Sequence, residues 1–256
     1  MYENAPCIDY IIRGHECYWN MLGGMRGIEN HRGSLSWLSG DVNCIYSVKF
    51  SGLDYSKEVG EIAEKMRNGQ LPDRLVILPN SAPPDVDIGE LFLSHNGFSH
   101  GSDYGMAKEL CADMSFPAPP KRINLFRVNE MHRLKASGAI LNTAFEYDLF
   151  SFEHYLDAFN ASYVHFYMAE YDGIPAGACM ALWGDDFVEI AWVGTLNGYR
   201  KKGIAGYLVN MAERDAVEAG KSIAALSAFL IGINAYERAG FKKCCEIKVI
   251  CYKPEK

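Results

Sequence analysis

The chain is expected to fold as an α+β protein, with a mixed, mostly antiparallel central sheet flanked by helices and two such domains in tandem. Three observations lead there. Strand-like apolar runs and amphipathic helical segments alternate along all 256 residues, an order that builds a sheet with helices on its faces. Three prolines within Phe116-Pro-Ala-Pro-Pro-Lys-Arg122 form a stiff, extended linker near the middle. A helical segment ending in Gly-Phe occurs once in each half, at Gly97-Phe98 and Gly240-Phe241, so an internal duplication is to be considered. The expected units are 1–116, a linker at 117–122, and 123–256.

In the first unit the pattern predicts a helix over Tyr10 to Leu22 and strands near Ser34 to Leu38 and Cys44 to Phe50. A helix over Lys57 to Asn68, a strand at Arg74 to Leu78 and a helix over Gly89 to Asn96 follow. Asp85-Val-Asp87, after two prolines, is read as a helix cap rather than a metal ligand pair. The second unit opens with a strand at Ile123 to Val128, a helix from Glu130 and another from Ser151 to Ala161. Strands at Tyr163 to Tyr171 and Pro175 to Trp183 flank Asp172-Gly173, a strong hairpin turn signal. Then come a strand around 189–195, a helix from Ile204 stopped at Gly220, a strand at Ser222 to Ala228, a helix around Tyr236, and a final strand pair from Lys243 to Tyr252.

The most informative stretch is Glu189-Ile-Ala-Trp-Val-Gly-Thr-Leu-Asn-Gly-Tyr-Arg200-Lys-Lys-Gly203-Ile-Ala205-Gly206. It runs from a strand carrying one carboxylate, through a glycine-flanked loop, into a helix with apolar positions at Ile204, Leu208 and Met211. The first turn of such a helix has unpaired amides and the positive end of the dipole, a site for an anion. Gly203, Ala205 and Gly206 are small enough to let phosphate oxygens approach. Arg200, Lys201 and Lys202 place cations where the dipole alone disfavours them, so their charge makes most sense with an anionic ligand between. Strand alternation puts Glu189, Ala191, Val193 and Thr195 on one face and Ile190 and Trp192 on the other. A carboxylate among small and apolar neighbours is partly desolvated, which raises its pKa toward a useful general-base value.

From about Ile123 to Tyr252 these residues resemble the GNAT N-acetyltransferases, which use acetyl-CoA. Arg200-x-x-Gly203-x-Ala205 is similar to the family's CoA pyrophosphate motif, and the strand from Glu189 to Thr195 resembles the corresponding strand of its histone-acetylating branch. The resemblance implies an acyl-CoA N-acyltransferase fold, with Arg200, Lys201, Lys202, Gly203, Ile204, Ala205 and Gly206 around the pyrophosphate. It also implies Glu189 as general base, the Val193 amide on the thioester carbonyl, and Thr195 paired with the pantetheine arm. Gly232-Ile-Asn-Ala-Tyr236-Glu-Arg-Ala-Gly240-Phe241 looks like the family's closing helix, whose Tyr is the usual general acid, so Tyr236 inherits that role. Seven residues earlier some branches carry Asn or Ser, and this chain has Phe229; a side-chain contact to the pantetheine arm is thereby put in doubt. The first half resembles the degenerate first domain of tandem members of the family, with no Arg-x-x-Gly-x-Ala sequence, and an unrelated α+β domain is the alternative.

Acetyl transfer to an amine needs a proton acceptor, a donor to the tetrahedral oxyanion, and a proton for the thiolate. Glu189, the Val193 amide and the Tyr236 hydroxyl are the respective candidates; the other reading of Tyr236 is a helix aromatic packed on the sheet. The expected activity is acetyl-CoA-dependent N-acetylation of a primary amine on a small molecule or peptide. A non-catalytic acetyl-CoA-binding regulatory module and a transferase for a longer acyl group are the alternatives.

A formal net charge of -7 without a long basic stripe gives no support to nucleic-acid binding and suits a cationic amine better than an acidic acceptor. No apolar run approaches the roughly 20 residues needed to cross a bilayer, and the N-terminus lacks a signal pattern, so a soluble, cytoplasmic protein without a membrane partner is expected. The eight cysteines form no Cys-x-x-Cys pair and are read as reduced core residues. No metal site is expected, since the histidines are scattered. The acceptor itself is not identifiable; Trp183, Phe187, Tyr147 and the region of Trp37 are candidate pocket walls, and a homodimer is left open.

Overall fold

The computed structural model describes residues 5–146 and 150–252; Tyr147 lies outside them. In chain order the elements are α1 (Ala5–Leu22), β1 (Ile28–His31), β2 (Leu35–Gly40), β3 (Cys44–Val48), α2 (Tyr55–Arg67), β4 (Arg74–Ile77), α3 (Ile88–Ser94) and β5 (Phe98–Glu109). After the linker come β6 (Ile123–Arg127), α4 (Met131–Phe145), α5 (Phe152–Asn160), β7 (Val164–Tyr171), β8 (Ile174–Trp183), β9 (Phe187–Thr195), α6 (Ile204–Glu218), β10 (Ile223–Ala228), α7 (Ile233–Arg238) and β11 (Lys242–Cys251).

Local chemistry sets several boundaries. Asp54 caps α2 by accepting from the Lys57 amide at 3.0 Å, and Asp87 caps α3 through the Glu90 amide at 3.1 Å. Ser151 and His154 form a reciprocal capping box at the start of α5. Asp172 and Gly173 both adopt positive φ, 52° and 78°, the backbone of a two-residue hairpin turn. Along α6, Ile204, Leu208, Ala212 and Ala216 are buried, a stripe with a four-residue repeat that seats the helix on the sheet.

The eleven strands among the described residues form one sheet, in the order β1-β2-β3-β4-β11-β5-β10-β9-β8-β7-β6. Only β3 with β4 and β9 with β10 run parallel; the other neighbours are antiparallel. The expected α+β class and largely antiparallel sheet are therefore present. Apart from the edge strand β6, the order is a palindrome about the central β11–β5 pair: β4, β3, β2 and β1 lead outward on one side, and β10, β9, β8 and β7 on the other. Each half places its last strand inside the other. β5 of the first half lies against β10, and β11 of the second half lies against β4. The expected strand pair at the C-terminus is thus a single strand, because β5 fills the place a hairpin partner would take. Strands β1 and β5 were not anticipated from the sequence.

One face of the sheet carries α1, α4 and α5 over a core that includes Ile11, Trp19, Leu134, Leu141, Tyr155 and Phe166. The opposite face carries α2 and α3 at one end and α6 and α7 at the other. Lys108 of β5 reaches the fully buried Glu213 of α6 at 2.8 Å, tying the exchanged strand to the second half. Burial raises the Glu213 pKa, against the opposing pull of Lys108. The expectation of reduced cysteines is corrected at one pair. Cys7 of α1 and Cys244 of β11 form a disulfide; 237 residues separate them, so no spacing rule could couple them. Cys111 is exposed rather than part of a core.

Candidate functional site

The site is built on β9. Its parallel ladder with β10 covers only Phe187–Ile223 to Ile190–Leu226. Beyond Ile190 the two strands separate, so the β10-facing edge of residues 191–195 has no strand partner. A bulge coincides with the split: between Ala191 and Gly194 the strand carries one residue more than β8 does, and Trp192 takes φ 53°. A bulge reverses facing direction. Glu189, Ala191 and Trp192 consequently lie on the α1 side, where Trp192 packs with that core, while Val193 packs on the α6 side. The expectation that Glu189 through Thr195 alternate on one face is corrected here: Val193 and Thr195 lie across the sheet from Glu189. The extra residue left no mark in the amino-acid pattern.

Glu189 is 5% exposed, its Oε2 has no hydrogen-bond partner among the described residues, and burial raises its pKa from 4.5 to about 8. Its lid is α1. A methyl group at Gly14 would stand 2.8 Å from the Glu189 Cδ and closer still to Oε2, so the helix backbone lies directly on the carboxylate. One residue on, His15 Nε2 is 2.8 Å from Ser227 Oγ of β10, and Trp192 Nε1 donates to the Tyr18 hydroxyl at 3.0 Å. Motif reading did not find Gly14, His15, Tyr18 or Ser227. The one available signal was a glycine inside an amphipathic helical pattern, where glycine costs about 1 kcal/mol relative to alanine.

On the opposite side of the split, Gly203 caps α6 with φ 82° and no side-chain cap, a conformation that suits glycine. A methyl group at Gly206 would meet nothing within 4 Å, so the first turn of α6 is open to an incoming group. Ile204 is buried and anchors that turn, with Ala205 half-buried beside it. The three cations divide their roles. Arg200 donates to the backbone oxygens of Thr195 (3.2 Å) and Ala144 (3.3 Å), which braces the loop. Lys202 sits over the Tyr171 and Tyr199 rings at 4.4 and 5.0 Å. Lys201 is exposed at φ 61°. Thr195 Oγ1 is buried without a partner among the described residues, a polar group awaiting one.

Tyr236 packs on the α6 side, its ring 6.0 Å from Phe241. Burial, with a smaller contribution from Cys179, raises its pKa above the usual 10, so its hydroxyl keeps its proton. Glu189 and Tyr236 therefore flank the split from opposite faces. The loop from β10 into α7 is apolar and open, with Phe229, Leu230 and Ile231 at 56%, 74% and 90% exposure. Of the candidate walls, Phe187 is buried beside Tyr10 and Arg13. Trp183 meets His165 with the two rings tilted, and Trp37 stacks on His31 in the first half. Among the described residues no group of three or more His, Cys, Asp or Glu is placed to hold a metal ion, and no helix is long and apolar enough to cross a membrane.

Residues 130–241, which contain the split strand, the open helix turn and Tyr236, match the model of the acetyltransferase (GNAT) family. This segment is a GNAT domain. The full chain shares its fold with a GCN5-related N-acetyltransferase from Kribbella flavida (TM-score 0.69, 18% identity, 95% of this chain and 96% of that one). A GCN5-related N-acetyltransferase from Sphaerobacter thermophilus is similar over 84% of this chain and 79% of its own (TM-score 0.64, 17% identity). A tandem GNAT protein from the clavulanic acid biosynthesis pathway aligns with 100% of this chain and 98% of its own (TM-score 0.58, 10% identity). No curated protein matches the sequence. The GNAT domain carries the expectation of acyl-CoA-dependent N-acyl transfer.

Proposed function

We propose that the protein is an N-acetyltransferase that moves the acetyl group of acetyl-CoA directly to a primary amine of a small molecule or peptide. The observation that carries this reading is the open first turn of α6, capped by Gly203 and unobstructed at Gly206. Its amides would take the pyrophosphate of CoA, with Lys201 and Lys202 beside it, and the pantetheine arm would follow the unpaired edge of β9 past Thr195. Glu189 accepts a proton from the ammonium, and the amine nitrogen attacks the thioester carbon. The Val193 amide holds the oxyanion; the C–S bond then breaks as Tyr236 protonates the leaving thiolate.

The same reading makes the first half a decayed copy of the second. The palindromic strand order supports it, as does a bulge in β3 after Ile45 that matches the one in β9. The counterpart of the α6 turn is closed by the protein's own carboxylates. Asp54 occupies the Lys57 amide, and Glu58 accepts from Ser51 N at 2.8 Å and Ser51 Oγ at 2.7 Å. A phosphate would meet negative charge there.

Calorimetric titration with acetyl-CoA tests the assignment. Micromolar binding is expected, lost in Gly203→Asp, which sets a carboxylate at the cap; wild-type protein that does not bind would remove the assignment. Propionyl-CoA and longer thioesters turning over equally well would remove the acetyl preference. The packing of α1 on Glu189 favours one second reading, an acetyl-CoA-binding regulatory module. Turnover abolished by Glu189→Gln would exclude it.

A further inference from the structure

Two polar atoms on the α1 face of the split have no hydrogen-bond partner among the described residues: Glu189 Oε2 and His15 Nδ1. The strand register places them close together. Glu189 pairs with Ala225 across the parallel ladder, and Ser227, which holds the His15 ring, is two residues further along β10 and on the same face. Strand spacing and rise put the Cα atoms of Glu189 and Ser227 about 8 Å apart, and His15 reaches Ser227 from the helix that covers them both. The ladder ends at Leu226, so the separated strand ends open onto this pair. Neither orphan is used by the fold, and each sits where an unmet polar group is costly.

We propose that His15 of α1 is a positioning residue for the acceptor, holding the substrate amine between its Nδ1 and the Glu189 carboxylate, so that the first half supplies part of the second half's acceptor site. When Nε2–H donates to Ser227 Oγ, Nδ1 is an acceptor, and once Glu189 has given up its proton the two acceptors call for a donor with at least two N–H bonds. The ligand class is therefore a primary amine or its ammonium. The charges around neighbouring Cys17 are mostly acidic, from Glu189, Glu16 and Asp185 against Arg13, which disfavours an amine with a carboxylate next to it. The imidazole itself stays neutral, since burial lowers its pKa to about 4. In its catalytic sense the proposal rests on the transferase reading; the amine site stands on the two orphan atoms.

The test is the imidazole ¹H–¹⁵N spectrum of the full-length protein, with the His15 signal assigned by its loss in His15→Asn, titrated with methylammonium and, in parallel, with tetramethylammonium at equal ionic strength. The expected result is a saturable shift of the His15 Nδ1 resonance with methylammonium alone, abolished in Glu189→Gln. No shift, or an equal shift with tetramethylammonium, which has the charge but no N–H, would overturn the proposal. Because that comparison is made on the wild type, it does not depend on the variants folding. In turnover, His15→Asn is expected to raise KM for the amine at least tenfold while leaving acetyl-CoA affinity unchanged; an unchanged amine KM would count against the positioning role. A methylammonium-specific shift in protein that fails to bind acetyl-CoA would remove the transferase reading and leave the amine site standing.

Discussion

Glu189 shows how far single residues were legible. Its place at the head of the motif strand and among small and apolar neighbours is written in the sequence, and so is Tyr236 four residues before Gly240-Phe241. What covers Glu189 is not, because Gly14 and His15 come from a helix some 175 positions away in sequence and belong to no motif. That cover has a measurable consequence. The unfolded chain ionises this carboxyl near pH 4.5, whereas the native state holds the proton to about pH 8. Between those values the native state binds more protons than the unfolded state, so stability falls as pH rises. The interval corresponds to at most about 5 kcal/mol. Glu189→Gln, neutral throughout, is expected to flatten this slope and to be the more stable protein at pH 8; denaturant midpoints from pH 5 to 9 measure it, and parallel slopes for the two proteins would refute burial of the charge. As a base, Glu189 acts only when deprotonated, so acetyl transfer is expected to rise with pH and level off above about 8.

At the scale of elements, the sequence reported periodicity well and interruptions poorly. Helices α2, α5 and α6 carry their caps and apolar stripes in order, and the Asp172-Gly173 hairpin was readable from two residues. The bulge in β9 was not, since an extra residue in a strand needs no special side chain, and it changed which face Val193 and Thr195 occupy. β5 was missed because its first half is polar and exposed, and its ladder partners lie in the other half of the chain. Helix α1 provides a test of sign. A glycine within a helix costs about 1 kcal/mol relative to alanine, so Gly14→Ala would ordinarily stabilise. Here the added methyl group meets the Glu189 carboxylate, and overpacking of that kind costs about 1–3 kcal/mol. Gly14→Ala is therefore expected to destabilise the wild type and to stabilise a Glu189→Ala protein. Thermal unfolding of the four proteins of this cycle measures the reversal; the same effect in both backgrounds would show that α1 does not rest on the carboxylate.

The whole molecule is governed by the exchange of β5 and β11. The proline-rich segment at 117–122 lies between β5 and β6, and no cut there separates two complete sheets. Residues 1–116 alone would keep β5 and lose the strand lying between it and β4; residues 117–256 alone would lose the strand between β10 and β11. Nine residue pairs join β5 to β11 and six join it to β10, and the Lys108–Glu213 ion pair crosses the same boundary. Removing Lys108 with its half would leave Glu213 buried without its cation, a cost of several kcal/mol when that group is ionised. Each half therefore completes the other's core, and neither is expected to fold alone. The full chain is expected to unfold in urea in one transition, coincident by tryptophan fluorescence and circular dichroism. Residues 117–256 expressed alone are expected to lack dispersed amide resonances until residues 1–116 are added. Two resolved transitions, or a well-folded 117–256 fragment, would mean that the second half closes its sheet by pairing β11 directly with β10. The acceptor site would then have to be complete without α1, and the role assigned to His15 would fall with the exchange.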